Sequence, residues 1–229
     1  MLIIPITMGL SITNSRPLQF NVNIKACLLF LNEYTNLKHE RHELVFMVDT
    51  NQQYDTVIRQ CEDIFLKKTK DYGTSWRVLR PISIVDQVYI KAQRVRTIQE
   101  NGEQKVGNIG DDIRSEFIGI INYSVIGLVQ MELTDDDPEE LQVGEVEKIY
   151  HKYFLSAKTL MQSKNHDYGE AWRNMTQESF VDLILMKLQR MRQILSNKGK
   201  TIISEGLDAN YYDMINYAVF ALILMDQSK

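Results

Sequence analysis

Asp71-Tyr-Gly-Thr-Ser-Trp-Arg77 returns, with two changes, as Asp167-Tyr-Gly-Glu-Ala-Trp-Arg173. The chain's two tryptophans, Trp76 and Trp172, sit at the same place in the two copies. Reading outward in that register, Ser83-Ile-Val-Asp86 matches Ser179-Phe-Val-Asp182, and Lys91-Ala-Gln-Arg94-Val-Arg96 matches Lys187-Leu-Gln-Arg190-Met-Arg192. After a loop two residues shorter in the second copy, Ile121-Asn-Tyr123 matches Ile215-Asn-Tyr217. Chance does not align so many uncommon residues in one register, and such self-similarity marks a duplicated structural unit.

Each copy reads as three helices. Tyr54, Val57, Ile58, Cys61, Ile64 and Phe65 follow i, i+3, i+4, i+7 spacing. A second stripe, Ile84, Val88, Val95 and Ile98, runs from about Ser83 to Asn101. A third begins near Asp111 and carries Phe117, Ile120, Ile121, Val125 and Leu128. The second copy repeats the plan at about 143–166, 179–197 and 205–227, and sustained period-2 alternation is scarce. The expected class is all-α, as two tandem three-helix repeats packed in a pseudo-symmetric bundle. Three amphipathic helices enclose a thin core, so the copies are expected to pack on each other as partners do in a dimer.

The expected boundaries are 47–133 for the first repeat, 134–142 for an acidic, proline-bearing linker and 143–229 for the second repeat. Thr50-Asn-Gln-Gln53 fits a capping box opening the first helix. Residues 1–46 lack periodicity and read as a loosely attached extension, or as sequence ahead of a native start at Met47. Its apolar stretches are too short to span a bilayer and lack a basic leader. His39 and His42 are read as solvated side chains.

Composition narrows the function. The 229 residues carry 26 basic and 30 acidic side chains, for a net charge of −4. That balance disfavours generic duplex binding, which needs a concentrated basic face, but leaves room for a small phosphate-bearing ligand. Two cysteines, Cys27 and Cys61, make no disulfide framework, so a cytoplasmic setting is expected.

The duplicated polar residues are the candidate site. Gly73 and Gly169 suit left-handed helix ends. Asp71 and Asp167 then stand in a last helical turn, where the dipole repels a carboxylate. The same unfavourable choice in both copies suggests another use, and Arg77 and Arg173 are the plain structural partners. Tyr72, Trp76, Tyr168 and Trp172 read either as anchors under the turn or as a wall on which a base stacks. Asp86 and Asp182 complete capping boxes with Ser83 and Ser179, unless the helices start earlier, at Pro81 and Thr176. Lys91 and Arg94, with Lys187 and Arg190, place two cations on one face amid apolar neighbours. Such cations need an anion, either the repeats' own acids or a ligand's phosphates. Arg96 and Arg192 are expected to face solvent. His166 suits a helix C-terminus and needs no catalytic role.

The third helices differ between copies. Asp213 and Asn216 share one face in the second; Gly119 stands in place of Asp213 in the first, with Glu116 one turn earlier and Asn122 matching Asn216. Asp167, Asp182 and Asp213 are the expected ligands for Mg²⁺ beside phosphates, with Asp71, Asp86 and Glu116 as first-repeat counterparts. If acid is required at that place, the second copy is the better candidate for chemistry. Asn122 and Asn216 read as polar site residues or as buried links between helices.

These motifs, together with Glu116-Phe-Ile-Gly-Ile-Ile-Asn-Tyr123 and Gly206-Leu-Asp-Ala-Asn-Tyr-Tyr-Asp-Met-Ile-Asn-Tyr217, resemble a bacterial family named nucleotide modification associated domain 1. The resemblance covers about 50–228 and implies a link to nucleotide or base modification, with no reaction attached. A looser, architectural similarity is to all-α NTP pyrophosphatases of the MazG and dUTPase type, which hold Mg²⁺ on acidic helix faces. Their paired glutamates followed by Glu-x-x-Asp are not clearly present here, and Glu139 with its neighbours lies in the linker. The expected function is binding of a phosphate-bearing nucleotide, with Mg²⁺-assisted hydrolysis as the reaction class if it is an enzyme. The partner is a small molecule rather than a membrane, and a homodimer is open. The rival is a non-catalytic scaffold whose repeated polar residues are structural.

Overall fold

A computed structural model describes residues 49–101, 113–134, 136–200 and 205–227. The extension at 1–46, with His39, His42 and Cys27, lies outside the described residues, as does Asp111. Among the described residues six α-helices follow in order: α1 (Thr50–Tyr72), α2 (Pro81–Asn101), α3 (Ile113–Glu132), α4 (Val143–Tyr168), α5 (Gln177–Ser196) and α6 (Leu207–Gln227). A single 3-10 turn, Ser75–Val78 or Ala171–Asn174, joins the first two helices of each repeat. Among the described residues there is no strand, and no helix is long and apolar enough to cross a membrane.

The helix starts differ from two expectations. Asp49, not Thr50, caps α1, accepting from the Asn51 N–H at 3.0 Å. Thr50 is turned inward instead, where Arg173 donates to its hydroxyl at 2.6 Å. The capping boxes at Ser83 and Ser179 do not form. α2 begins at Pro81, and Thr176 caps α5 by accepting from the Ser179 N–H at 3.3 Å. The proline suits a first helical position, where its missing N–H is not needed. Asp86 and Asp182 are thereby moved into the helix bodies.

Gly73 and Gly169 end α1 and α4 at φ of 64° and 62°, conformations that a side chain resists. The chain then drops a tryptophan into the core: Trp76 and Trp172 are 8% and 6% exposed. Trp172 stacks on Phe220 with ring centroids 4.3 Å apart.

α3 and α6 are buried almost all round, as their near-continuous apolar runs require. They pack on each other at the centre. Around them α2 meets α5 and α1 meets α4, each element against its own counterpart. That is the isologous pattern of a two-fold dimer, built within one chain. The linker folds back on the first turn: Arg77 donates to the Thr134, Asp137 and Pro138 carbonyls and, at 2.5 Å, to the Gln130 side chain. Thr74 donates to the Glu139 carbonyl at 2.6 Å. The linker backbone therefore serves as a structural strap.

Candidate functional site

In each repeat a helix-borne acid meets the repeated cations, but from different places. In the second repeat Asp213 is 5% exposed and accepts from Lys187 and Lys164, both at 2.5 Å. In the first, Glu116, also 5% exposed, accepts from Arg94 at 2.7 Å and Lys91 at 3.2 Å. Counterpart positions exchange their chemistry: Gly119 stands where the second repeat has Asp213, and Asn210 stands where the first has Glu116. The acid has moved by one helical turn. Asn210, buried, donates to the Gly206 carbonyl at 2.6 Å instead.

The move changes which cations are satisfied. Lys164 spans from the end of α4 to Asp213, whereas its counterpart Lys68, on α1, lines a cleft together with Gly119. The Lys91 stem lies across Gly119; a Cβ there would stand 2.7 Å from Lys91 Cδ and Cε. A cleft of about 420 Å³ opens at this place, between the C-terminal half of α1, the 3-10 turn and α3. Lys68, Lys91, Tyr72, Trp76, Tyr123, Asn122 and Glu116 are among its lining residues. Among the described residues the buried Trp76 indole N–H has no acceptor. Burial, then the neighbouring Tyr123 and Asp71, push the Tyr72 phenol up, so it remains a hydrogen-bond donor at neutral pH.

Several expected site residues are elsewhere. Asp167, Asp182 and Asp213 are not brought together as a metal set. Asp167 is exposed at the end of α4 beside His166, Asp182 is exposed on α5 with Arg96 at 3.8 Å, and Asp213 is occupied by two lysines. Asp71 is exposed, Asp86 bonds Arg192 at 2.7 Å, and Glu116 is committed to Lys91 and Arg94. The register of each residue on its helix separates these acids. Among the described residues, the group of acids and histidines close enough to share an ion is Glu62, Glu147 and His151, on α1 and α4. Arg77 and Arg173 hold the linker, Gln53 and Thr50 rather than Asp71 or Asp167. Arg96 and Arg192 do more than face solvent, since each reaches an acid of the other repeat.

Of the aromatic four, the tryptophans are core residues, while Tyr72 and Tyr168 are 56% and 76% exposed. Arg190 is exposed, and its counterpart Arg94 is half-buried against Glu116. Asn122 and Asn216 are links between repeats. Asn122 donates to the Cys61 carbonyl at 3.2 Å and accepts from the Tyr150 hydroxyl at 2.8 Å. Asn216 donates to the Ala157 carbonyl at 3.1 Å and accepts from Tyr54 at 2.7 Å. The cleft beside Lys68 and Lys91 lies in the first repeat, whereas the placement of acids along the sequence favoured the second for chemistry.

Lys68 escaped the sequence reading. Its signal was present in the pair Lys68 and Lys164, each three residues before the Asp-Tyr-Gly motif. It was hidden because nothing along the chain ties that lysine to the third helix.

The model of the family described as nucleotide modification associated domain 1 matches residues 68–131 and again 164–225, over half of the chain. Neither curated proteins nor solved structures gave a match. One matched segment falls in each helical repeat, taking in the end of its first helix and nearly all of the two that follow, and the chain belongs to the nucleotide modification associated domain 1 family.

Proposed function

We propose that this protein binds a phosphate-bearing nucleotide in the first-repeat cleft. The observation that carries the reading is the exchange of Asp213 for Gly119. It withdraws an acid from between two lysines and leaves a cleft beside Tyr72, Trp76 and Tyr123. The size suits one small ligand, and a concave site with few convergent polar groups is the usual form of such sites. Lys68 and Lys91 supply charge for phosphate, and the aromatic side chains supply a surface for a base. Arg94 acts behind Lys91, holding Glu116. Lys187 is held by Asp213, and neither it nor Arg190 lines the cleft, so both drop out of the ligand set. Metal-assisted hydrolysis is not part of the reading, since Glu116 is the carboxylate on these walls and two cations already hold it. A bacterial cytoplasm is the setting proposed, from the family and the sparse cysteines.

The test is thermal unfolding against a panel of nucleotides. A ligand of the folded state raises the midpoint by mass action, so a rise that saturates with concentration is expected. No shift at millimolar ligand overturns the reading. A scaffold role is the second reading, favoured by the cross-repeat bonds that occupy Asp86, Arg192, Asn122 and Asn216. Under it no nucleotide shifts the midpoint.

A further inference from the structure

The second repeat displays what the lysine pair is built to hold. Lys164 and Lys187 converge on one anionic group, the Asp213 carboxylate, each at 2.5 Å. Their counterparts Lys68 and Lys91 line the cleft beside Gly119, which offers no carboxylate and over which the Lys91 stem lies. The second repeat is in this sense liganded by its own sequence, and the first is left for an outside anion at the same place.

Charge selects the anion. Glu116 is offset by Arg94, its nearer partner at 2.7 Å against 3.2 Å for Lys91. Lys68 and Lys91 both face the cleft, Lys91 being shared with Glu116. A phosphate monoester carries about −1.5 to −2 at neutral pH and suits such a pair. A triphosphate carries roughly twice that and normally arrives with Mg²⁺, which takes one or two carboxylates as ligands. The acid on this wall is already bonded twice, and the Glu62, Glu147 and His151 group does not line the cleft. The volume, about 420 Å³, lies in the lower part of the range for small-molecule sites and suits one ring, one sugar and one phosphate.

Resting on the reading of this cleft as a nucleotide site, we propose that its ligand is a free nucleoside monophosphate. Lys68 and Lys91 grip the phosphate over Gly119, without a metal ion, in the position that the Asp213 carboxylate fills in the other repeat. One chain then binds one ligand, because the second site carries its own occupant.

Calorimetric titration of the full chain tests this with five probes: nucleosides, nucleoside 5′-monophosphates, nucleoside 5′-triphosphates, a 5′-phosphorylated oligonucleotide and inorganic phosphate, each with Mg²⁺ and with EDTA. The expected result is one monophosphate per chain, bound at least about tenfold tighter than the nucleoside or phosphate alone and unchanged by EDTA. Gly119→Asp rebuilds the second-repeat arrangement and is expected to weaken binding at least about tenfold. Lys68→Ala, at an exposed position, is expected to do the same with the thermal midpoint little changed, which keeps the test valid if Gly119→Asp disturbs folding. Tighter, Mg²⁺-dependent binding of triphosphates overturns the monophosphate inference while leaving the nucleotide reading intact. So does binding confined to the 5′-phosphorylated oligonucleotide. Inorganic phosphate binding as well as the monophosphate overturns the inference too. Silence from every probe at millimolar concentration overturns both. Two ligands per chain, or full binding by Gly119→Asp, overturns the one-site arrangement.

Discussion

Arg192 of the second repeat donates to Asp86 of the first at 2.7 Å, and its counterpart Arg96 faces Asp182 at 3.8 Å. Each repeat lends an arginine to the other's aspartate across the α2–α5 contact. This reciprocity is the mark of a two-fold interface, and it consumes aspartates that spacing alone had offered as metal ligands. The Arg192 guanidinium also lies 4.0 Å from the Tyr89 ring centre, so its planar face and its edge are both used.

These arginine–aspartate pairs are expected to add little stability. The Arg192 and Asp86 side chains are 32% and 49% exposed, and solvent screens them. Asp86→Asn is expected to lower unfolding free energy by less than about 1 kcal/mol, and by less still at high salt. Urea titrations at low and high salt check both parts.

The buried tyrosine–asparagine bonds are expected to matter more. Tyr150→Phe strips the donor from the Asn122 Oδ1, and Tyr54→Phe does the same to Asn216. Each leaves a buried acceptor without a partner, at about 1–3 kcal/mol. The two losses should be similar, because the repeats use the same geometry. Unfolding of both single variants measures them, and a loss at one position alone would break the equivalence.

Lys187 and Lys91 hold matching places and should respond differently to methionine. Lys187 is 6% exposed and shares Asp213 with Lys164. Lys187→Met is expected to cost about 3 kcal/mol, the lower end for breaking a buried pair, since Lys164 remains. Lys91→Met leaves Glu116 with Arg94 and is expected to cost clearly less. Chemical denaturation of the two variants side by side gives the difference.

Cys61 is fully buried, and that burial pushes its thiol up to about 12. Thiolate, the reactive form, is therefore scarce at neutral pH. In a Cys27→Ser background the native protein is expected to resist a thiol reagent and to react with one equivalent in denaturant. Rapid native labelling would contradict the packing of α1.

Glu62 has a raised pKa: burial raises it, His151 pulls it down, and Glu147 raises it again. A carboxyl raised in the folded state binds its proton more tightly there than in the unfolded chain. Stability then falls as pH rises from the ordinary value of 4.5 through the raised one, and the penalty stands in full above it. Glu62→Gln is expected to be more stable than the parent at neutral pH, with the gap closing toward acid. Urea midpoints across that window test the sign.

The helices, their order and the duplication were legible because they are written locally. Apolar residues recur at the helical period, glycine marks the ends of α1 and α4, and the two Asp-Tyr-Gly-x-x-Trp-Arg motifs set the register. Local cues were weaker at helix starts. Thr50 and Ser83 both satisfied a capping pattern, yet Asp49 and the Pro81 start won because those placements turn Thr50 inward and carry Asp86 toward Arg192.

By itself, then, the sequence determined an all-α duplicated chain with cations set in apolar faces. Which acid each cation meets was decided only by the tertiary structure. Glu116 and Asp213 lie one turn apart on equivalent helices, a shift that hardly alters an amphipathic pattern. In three dimensions that turn carries the carboxylate from the Lys164–Lys187 position to the Lys91–Arg94 position and leaves a cleft at Gly119. Periodicity specifies the face of a helix, whereas the neighbour at each level of that face is set by how the helices pack.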